Sequence, residues 1–271
     1  MNNLAQRFFT GAIGASAIIS LMLWHPVSLA ALFGILALLT YHEYLSILKP
    51  ASAGNSYLIA NMINGLIVYL LIVSVALTWI DSVWLTILIP LVAILFIIQL
   101  FLKSETPFKY IGYRIIGLVY IILPFALLTD LGAGGNNFQP LLVMGIIFII
   151  WTDNVMAYFF GRWFGKHKLF ERISPKKTWE GFAGGFVFAL ICSAIFSLYV
   201  PALTIIQWLM LGALLSITGT LGDLVESLLK RDLNLKDSGS ILPGHGGFLD
   251  RFDALIMAAP FAYALIAIFN I

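Results

Sequence analysis

The chain has 271 residues, 61% of them hydrophobic and 10% charged, where ordinary soluble domains carry roughly 25% charge. Its mean hydropathy is +1.00, and 15 Lys and Arg with 13 Asp and Glu cannot clothe a water-soluble surface, which excludes a soluble globular enzyme. The single cysteine, Cys192, lies inside an apolar run, which excludes an intramolecular disulfide and a multi-cysteine metal site.

A membrane-spanning helix needs about 20 apolar residues. Taken in chain order, runs of that kind fall near 8–24, 28–48, 57–79, 83–102, 111–129, 140–160, 182–203, 205–229 and 252–271. The expected fold class is therefore all-α, a polytopic integral membrane protein of about nine transmembrane helices. A short turn at Val200-Pro201-Ala202-Leu203-Thr204 must separate the seventh span from the eighth. The first span, with Arg7 before it and Ser28-Leu29-Ala30 after it, has the outline of a cleavable signal peptide; as one of nine similar runs it is read as an uncleaved helix. Internal repeats are absent, which argues against an inverted-repeat transporter.

Positive charge sets the expected orientation, because short cytoplasmic loops retain Lys and Arg. With the N-terminus inside, all 15 basic residues fall on one side: Arg7, Lys49, Lys103, Lys109, Arg114, Arg162, Lys166, Lys168, Arg172, Lys176, Lys177, Lys230, Arg231, Lys236 and Arg251. The opposite loop 130–139 carries none. The chain thus divides into N-terminal transmembrane helices, 1–130, and a C-terminal transmembrane region, 131–271, whose cytoplasmic loops 161–181 and 230–251 hold ten of the basic residues. Chemistry is expected in this second region, at the cytoplasmic face of the cell (inner) membrane.

The carboxylates sharpen that expectation. Asp153 lies nine residues before Arg162, roughly 13 Å deeper at the helical rise. Asp223, Glu226, Ser227 and Lys230 are spaced i, i+3, i+4, i+7 and share one helix face. Asp250 and Asp253 are again i, i+3 and flank Arg251. A carboxylate in hydrocarbon costs about 2.5 kcal/mol or more, so these groups should face a wet cavity, a cation or each other. Carboxylate oxygens suit Mg²⁺, which completes its shell with water and substrate phosphates that Lys and Arg can neutralise. The run Pro243-Gly244-His245-Gly246-Gly247 permits close backbone approach to a phosphate or nucleotide. His42 and Glu43, near the cytosolic end of the second span, have two readings, lining of the same polar funnel or, favoured, the polar end of a helix reaching for the surface, and Glu171, Glu180 and Asp232 read as solvated loop charges. Tyr158 is the one aromatic residue singled out for a test of base stacking.

The string from Ser227 to Asp253 closely resembles the signature of phosphatidate cytidylyltransferases, or CDP-diacylglycerol synthases. That pattern reads S-x-x-K-R, then K-D, then P-x-H-G-G-x-x-D-R-x-D, and every fixed position is met, from Ser227, Lys230 and Arg231 through Lys236 and Asp237 to Pro243, His245, Gly246, Gly247, Asp250, Arg251 and Asp253. The segment from Asp153 to Lys166, with Ile173-Ser174-Pro175-Lys176-Lys177-Thr178-Trp179-Glu180-Gly181, looks like the family's second shared region. On these motifs the resemblance covers about residues 150–255.

The resemblance implies transfer of a cytidylyl group from CTP to phosphatidate, with release of pyrophosphate and a requirement for Mg²⁺; a second, monovalent cation is left open. It implies Asp223, Asp250 and Asp253 as cation ligands, with Asp153 the weaker candidate. Lys230, Arg231, Lys236 and Arg251 would contact triphosphate or departing pyrophosphate, with Ser227, His245, Gly246 and Gly247 lining the substrate site. Arg162, Lys166, Ser174, Lys176 and Lys177 would bind nucleotide or lipid phosphate. The expected partners are CTP, phosphatidate and the bilayer, not nucleic acid, with a homodimer left open. A polar funnel open to the cytosol, with a lateral gap toward the inner leaflet, is the predicted geometry. Among alternatives, a CTP-dependent polyprenol kinase would transfer the terminal phosphate, and a transporter would place its carboxylates near the midplane.

Overall fold

The computed structural model describes residues 16, 18–49, 55–101, 106–135, 138–235, 238–239 and 246–269. Among these, eight helical segments are long and apolar enough to cross a membrane. They are α1 (Pro26–Leu48), α2 (Asn55–Ala76), α3 (Leu88–Phe101, entered through a 3₁₀ turn at Ser82–Ile87), the continuous pair α4 (Pro107–Gly117) and α5 (Leu123–Ala133), α6 (Pro140–Phe164), α7 (Trp179–Tyr199), α8 (Ile205–Asp232) and α9 (Leu249–Ile268). These match eight of the nine expected spans. The remaining one, 8–24, lies mostly outside the described residues, of which 18–24 are helical.

Local chemistry explains the boundaries. Proline occupies the first turn of α1, α4 and α6, where its missing N–H has no helical partner to lose. The anticipated break near Val200 is present: α7 stops at Tyr199, and Thr204 caps α8 by exchanging hydrogen bonds with Gln207. Between α4 and α5 the helix widens into a π turn at Leu118–Ile122; Pro124, which cannot donate to the carbonyl one turn earlier, sits just past it.

The C-terminal helices form the densest part of the bundle. α6 packs on α7, α7 on α8 and α8 on α9, and α9 returns against α1 and α5. Glycine lets two of these crossings close. A methyl at Gly185 would stand 2.8 Å from the Asp153 carbonyl oxygen, and one at Gly222 would stand 2.6 Å from that of Asp253. The same crossings therefore draw Asp153 and Asp253 into the interior, where they join Glu43, Arg114 and Glu226 as buried charged residues. Large apolar side chains such as Ile89, Leu100, Phe101 and Leu198 cover the outside instead, as lipid contact requires.

Two expectations need correction. Loop 161–181 is ordered: α6 continues to Phe164, and a small antiparallel hairpin, β1 (Lys168–Phe170) and β2 (Ser174–Thr178), leads into α7. Arg114, counted with the loop cations, is buried within α4, its guanidinium 4.7 Å from the centre of the Tyr57 ring.

Candidate active site

A cavity of about 660 Å³ opens at the end of the bundle where α6, α7, α8 and α9 meet the hairpin. Its wall includes Arg162, Lys176, Lys177, Asp223, Asp250, Arg251 and Asp253, so the two signature segments face each other across one space. Asn154, Tyr158, Thr178 and Thr220 add polar lining, and Trp151, Val155 and Phe182 an apolar flank. A small apolar annex between Phe33, Ile150 and Phe252 shares Trp151, Asn154 and Arg251 with it.

The hairpin is held to α7 by its own first turn. Thr178 caps α7 through the Gly181 N–H, and Glu180 accepts hydrogen bonds from the backbone N–H groups of Lys166 and His167 while pairing with His167 Nδ1 at 2.6 Å. Glu180 is thus a structural tie rather than a freely solvated charge. The tie steadies β2, which carries Lys176 and Lys177 to the cavity.

Lysines answer two of the three cavity carboxylates. Lys177 Nζ lies 2.9 Å from Asp223 Oδ2, and Ser227 donates to Asp223 Oδ1 at 3.3 Å. Lys230 Nζ reaches Asp250 Oδ1 at 2.7 Å and Glu226 Oε2 at 2.6 Å, which confirms the shared face of α8. Asp250 Oδ2 accepts from the N–H groups of Ser238 at 3.1 Å and Gly247 at 3.2 Å. Asp253 accepts from its neighbour's N–H, Ala254, at 2.7 Å and forms no ion pair among the described residues, although it stands within electrostatic reach of Asp223 and Lys177.

This donor set can be weighed against a divalent ion. Three or more His, Cys, Asp or Glu side chains are nowhere gathered for a metal among the described residues. Two like-charged carboxylates, Asp223 and Asp253, share one wall of the cavity, and among the described residues Lys177 pairs with Asp223. That sparse oxygen set fits Mg²⁺, which keeps water and substrate phosphate as its other ligands.

The sequence profile of the Cytidylyltransferase family matches residues 5–269. The chain belongs to this family. It is 41% identical over 169 residues to a phosphatidate cytidylyltransferase of Bacillus subtilis (strain 168), a stretch covering 62% of each chain. Matches to proteins of the same name from Staphylococcus saprophyticus, 35% identical, and Staphylococcus aureus (strain COL), 34% identical, each cover 90% of this chain and 94% of the relative. The likeness therefore extends well beyond residues 150–255, through the N-terminal helices.

Several sequence-derived candidates lie away from the cavity wall. Asp153 is buried and accepts a 2.6 Å hydrogen bond from Ser216, tying α6 to α8. Lys230 stands behind Asp250, bridging it to Glu226. Lys166, Ser174, Ser227, Arg231, Gly246 and Gly247 do not line the cavity either. Lys236 and His245 lie outside the described residues.

For Glu43 the favoured of the two sequence readings does not hold. It is 2% exposed, not a helix end reaching for water. Its Oε1 accepts from the Ser238 hydroxyl and its Oε2 from the Phe248 N–H at 2.7 Å. Gly246 has φ +83°, a backbone shape that favours glycine, and Gly247 has no room for a side chain against the Glu43 carboxylate. A glutamate inside an apolar span facing a distant Gly-Gly turn was the available signal.

Proposed function

We propose that this chain transfers the cytidylyl group of CTP to phosphatidate, giving CDP-diacylglycerol and pyrophosphate. The observation that carries this reading is the single cavity in which Asp223, Asp250 and Asp253 face Arg162, Lys176 and Lys177 at one end of a membrane bundle. Its polar and apolar flanks suit two substrates of opposite solubility, a water-borne nucleotide and a lipid phosphate.

A phosphatidate oxygen is already nucleophilic. It attacks the α-phosphorus of CTP, forming the new P–O bond as the bond to the β-phosphate oxygen breaks, and pyrophosphate leaves with that electron pair. The protein's part is alignment and charge neutralisation. Arg162 and Lys176 hold phosphate oxygens. Asp223 and Asp253 would be the residues to hold Mg²⁺, and Lys177, paired with Asp223, is placed to neutralise phosphate. When bound there, the ion supplies positive charge against the phosphates. Asp250, pinned by Lys230 and two amides, keeps the wall in shape.

Arg162, Lys166, Lys168, Arg172, Lys176 and Lys177 all lie at the cavity end of α6 and α7. By the positive-inside rule that end faces the cytoplasm and the N-terminus lies inside. The test is product analysis with purified protein in detergent, phosphatidate, Mg²⁺ and CTP labelled at the α- or γ-phosphate. Label from the α-position must enter the lipid and label from the γ-position must leave as pyrophosphate; γ-label in the lipid would overturn the reading in favour of a kinase.

A further inference from the structure

The turn that precedes α9 is anchored from the opposite half of the molecule. Glu43, on α1, meets Ser238 and Phe248 across separations of 195 and 205 residues. Ser238 faces both ways: its hydroxyl bonds Glu43, and its N–H bonds Asp250. Gly247 donates to the same Asp250 oxygen, and the next residue, Phe248, donates to Glu43. Asp250 in turn holds Lys230, which holds Glu226. One buried carboxylate on α1 thus stands at the head of a hydrogen-bonded chain that ends in the cavity wall. The fit is tight as well as polar, since a methyl at Gly239 or Gly247 would stand 2.6 Å from Glu43 Cδ.

We propose that Glu43 is a positioning residue for cytidylyl transfer, fixing Ser238 and Phe248 so that Asp250, with Lys230 behind it, keeps its place in the cavity wall. This inference rests on the function proposed above. Reach and acceptor geometry are what the arrangement demands, not negative charge. Among the described residues each carboxylate oxygen takes one donor, and a glutamine would still accept from Phe248 with one oxygen and donate to the Ser238 hydroxyl with its amide. An aspartate keeps the charge but is one methylene short.

The test compares Glu43→Gln, Glu43→Asp and Glu43→Ala in the full-length protein in detergent, measuring kcat, KM for CTP and for phosphatidate, and the folded fraction by thermal unfolding. Glu43→Ala and Glu43→Asp should lower kcat per folded molecule by about 10–100-fold. Both KM values should stay within about threefold of the unsubstituted protein's, the signature of an effect exerted after binding. Glu43→Gln should retain kcat within about threefold. Adding Ser238→Ala to Glu43→Ala should cost nothing further, because both act through one contact. If Glu43→Asp outperforms Glu43→Gln, charge matters and the positioning role is wrong. If Glu43→Ala lowers only the folded fraction and leaves kcat per folded molecule unchanged, Glu43 is a packing residue and the proposal fails. Failure of the underlying function would look different: the unsubstituted chain would form no CDP-lipid, and this proposal would fall with it.

Discussion

Lys230 on α8 and Asp250 on α9 meet at 2.7 Å, and the same ammonium lies 2.6 Å from Glu226, so one cation serves two carboxylates between two helices. Removing it strands both acids in a poorly solvated seam. Breaking a buried pair on one side costs about 3–5 kcal/mol. Lys230→Met should therefore lower the unfolding temperature in detergent and abolish transfer. Adding Glu226→Gln should restore part of the stability, since only Asp250 would then lack its cation, but not the activity. Equal stability of the single and double variants would show that the shared cation is not what holds α8 to α9.

Asp223 and Asp253 should behave as a pair when Mg²⁺ is titrated. Asp223→Asn and Asp253→Asn should each raise the Mg²⁺ concentration for half-maximal turnover by about tenfold or more, equivalent to ~1.4 kcal/mol. Lys177, 2.9 Å from Asp223, would compete with an ion for that carboxylate. Lys177→Ala should thus shift the Mg²⁺ midpoint to lower concentration while raising KM for CTP, opposite in sign to the aspartate variants. Parallel shifts in all three would remove Lys177 from this role.

How much of this was legible beforehand follows from the range of the forces involved. Hydrocarbon thickness and apolar runs depend on local sequence, and eight described spans appear close to where the runs lie. The stripe Asp223, Glu226, Ser227 and Lys230 is likewise a matter of helical period, and the contacts within it are present. The hairpin at 168–178 was hidden because its strands are too short and charged for an alternating pattern to emerge, and it depends on Glu180 reaching back to His167. The surroundings of Asp153 and Glu43 were hidden for a related reason. Whether a buried acid meets a ligand or a hydroxyl depends on which helix lies opposite, and their partners Ser216 and Ser238 are 63 and 195 residues away.

Orientation can be checked with the hairpin. Glu171 is exposed in its turn, and Cys192 is the natural thiol to remove. In a Cys192→Ser background, Glu171→Cys should resist a membrane-impermeant maleimide in intact spheroplasts and react once the membrane is opened. Labelling in intact spheroplasts would place the cavity on the outer face and undo the positive-inside argument.

Gly246 and Gly247 should fail for different reasons. Gly246 adopts φ +83° with open space around its Cβ position, Asp250 Oδ2 being 3.5 Å away, so Gly246→Ala meets mainly backbone strain. That strain is about 1–2 kcal/mol for a side chain in the left-handed region. Gly247→Ala instead drives a methyl into the Glu43 carboxylate, with Cδ at 2.6 Å. It should be the more damaging of the two to stability and should also displace the amide that Asp250 accepts. A double-mutant cycle separates the causes. Shortening Glu43 to alanine removes one of the two groups in the way, the Ser238 hydroxyl being the other, so part of the stability lost through Gly247→Ala should return in the Glu43→Ala background, whereas the loss through Gly246→Ala should be the same in both. Independence of Gly247 from Glu43 in that cycle would mean that the turn is shaped by something other than the acid on α1.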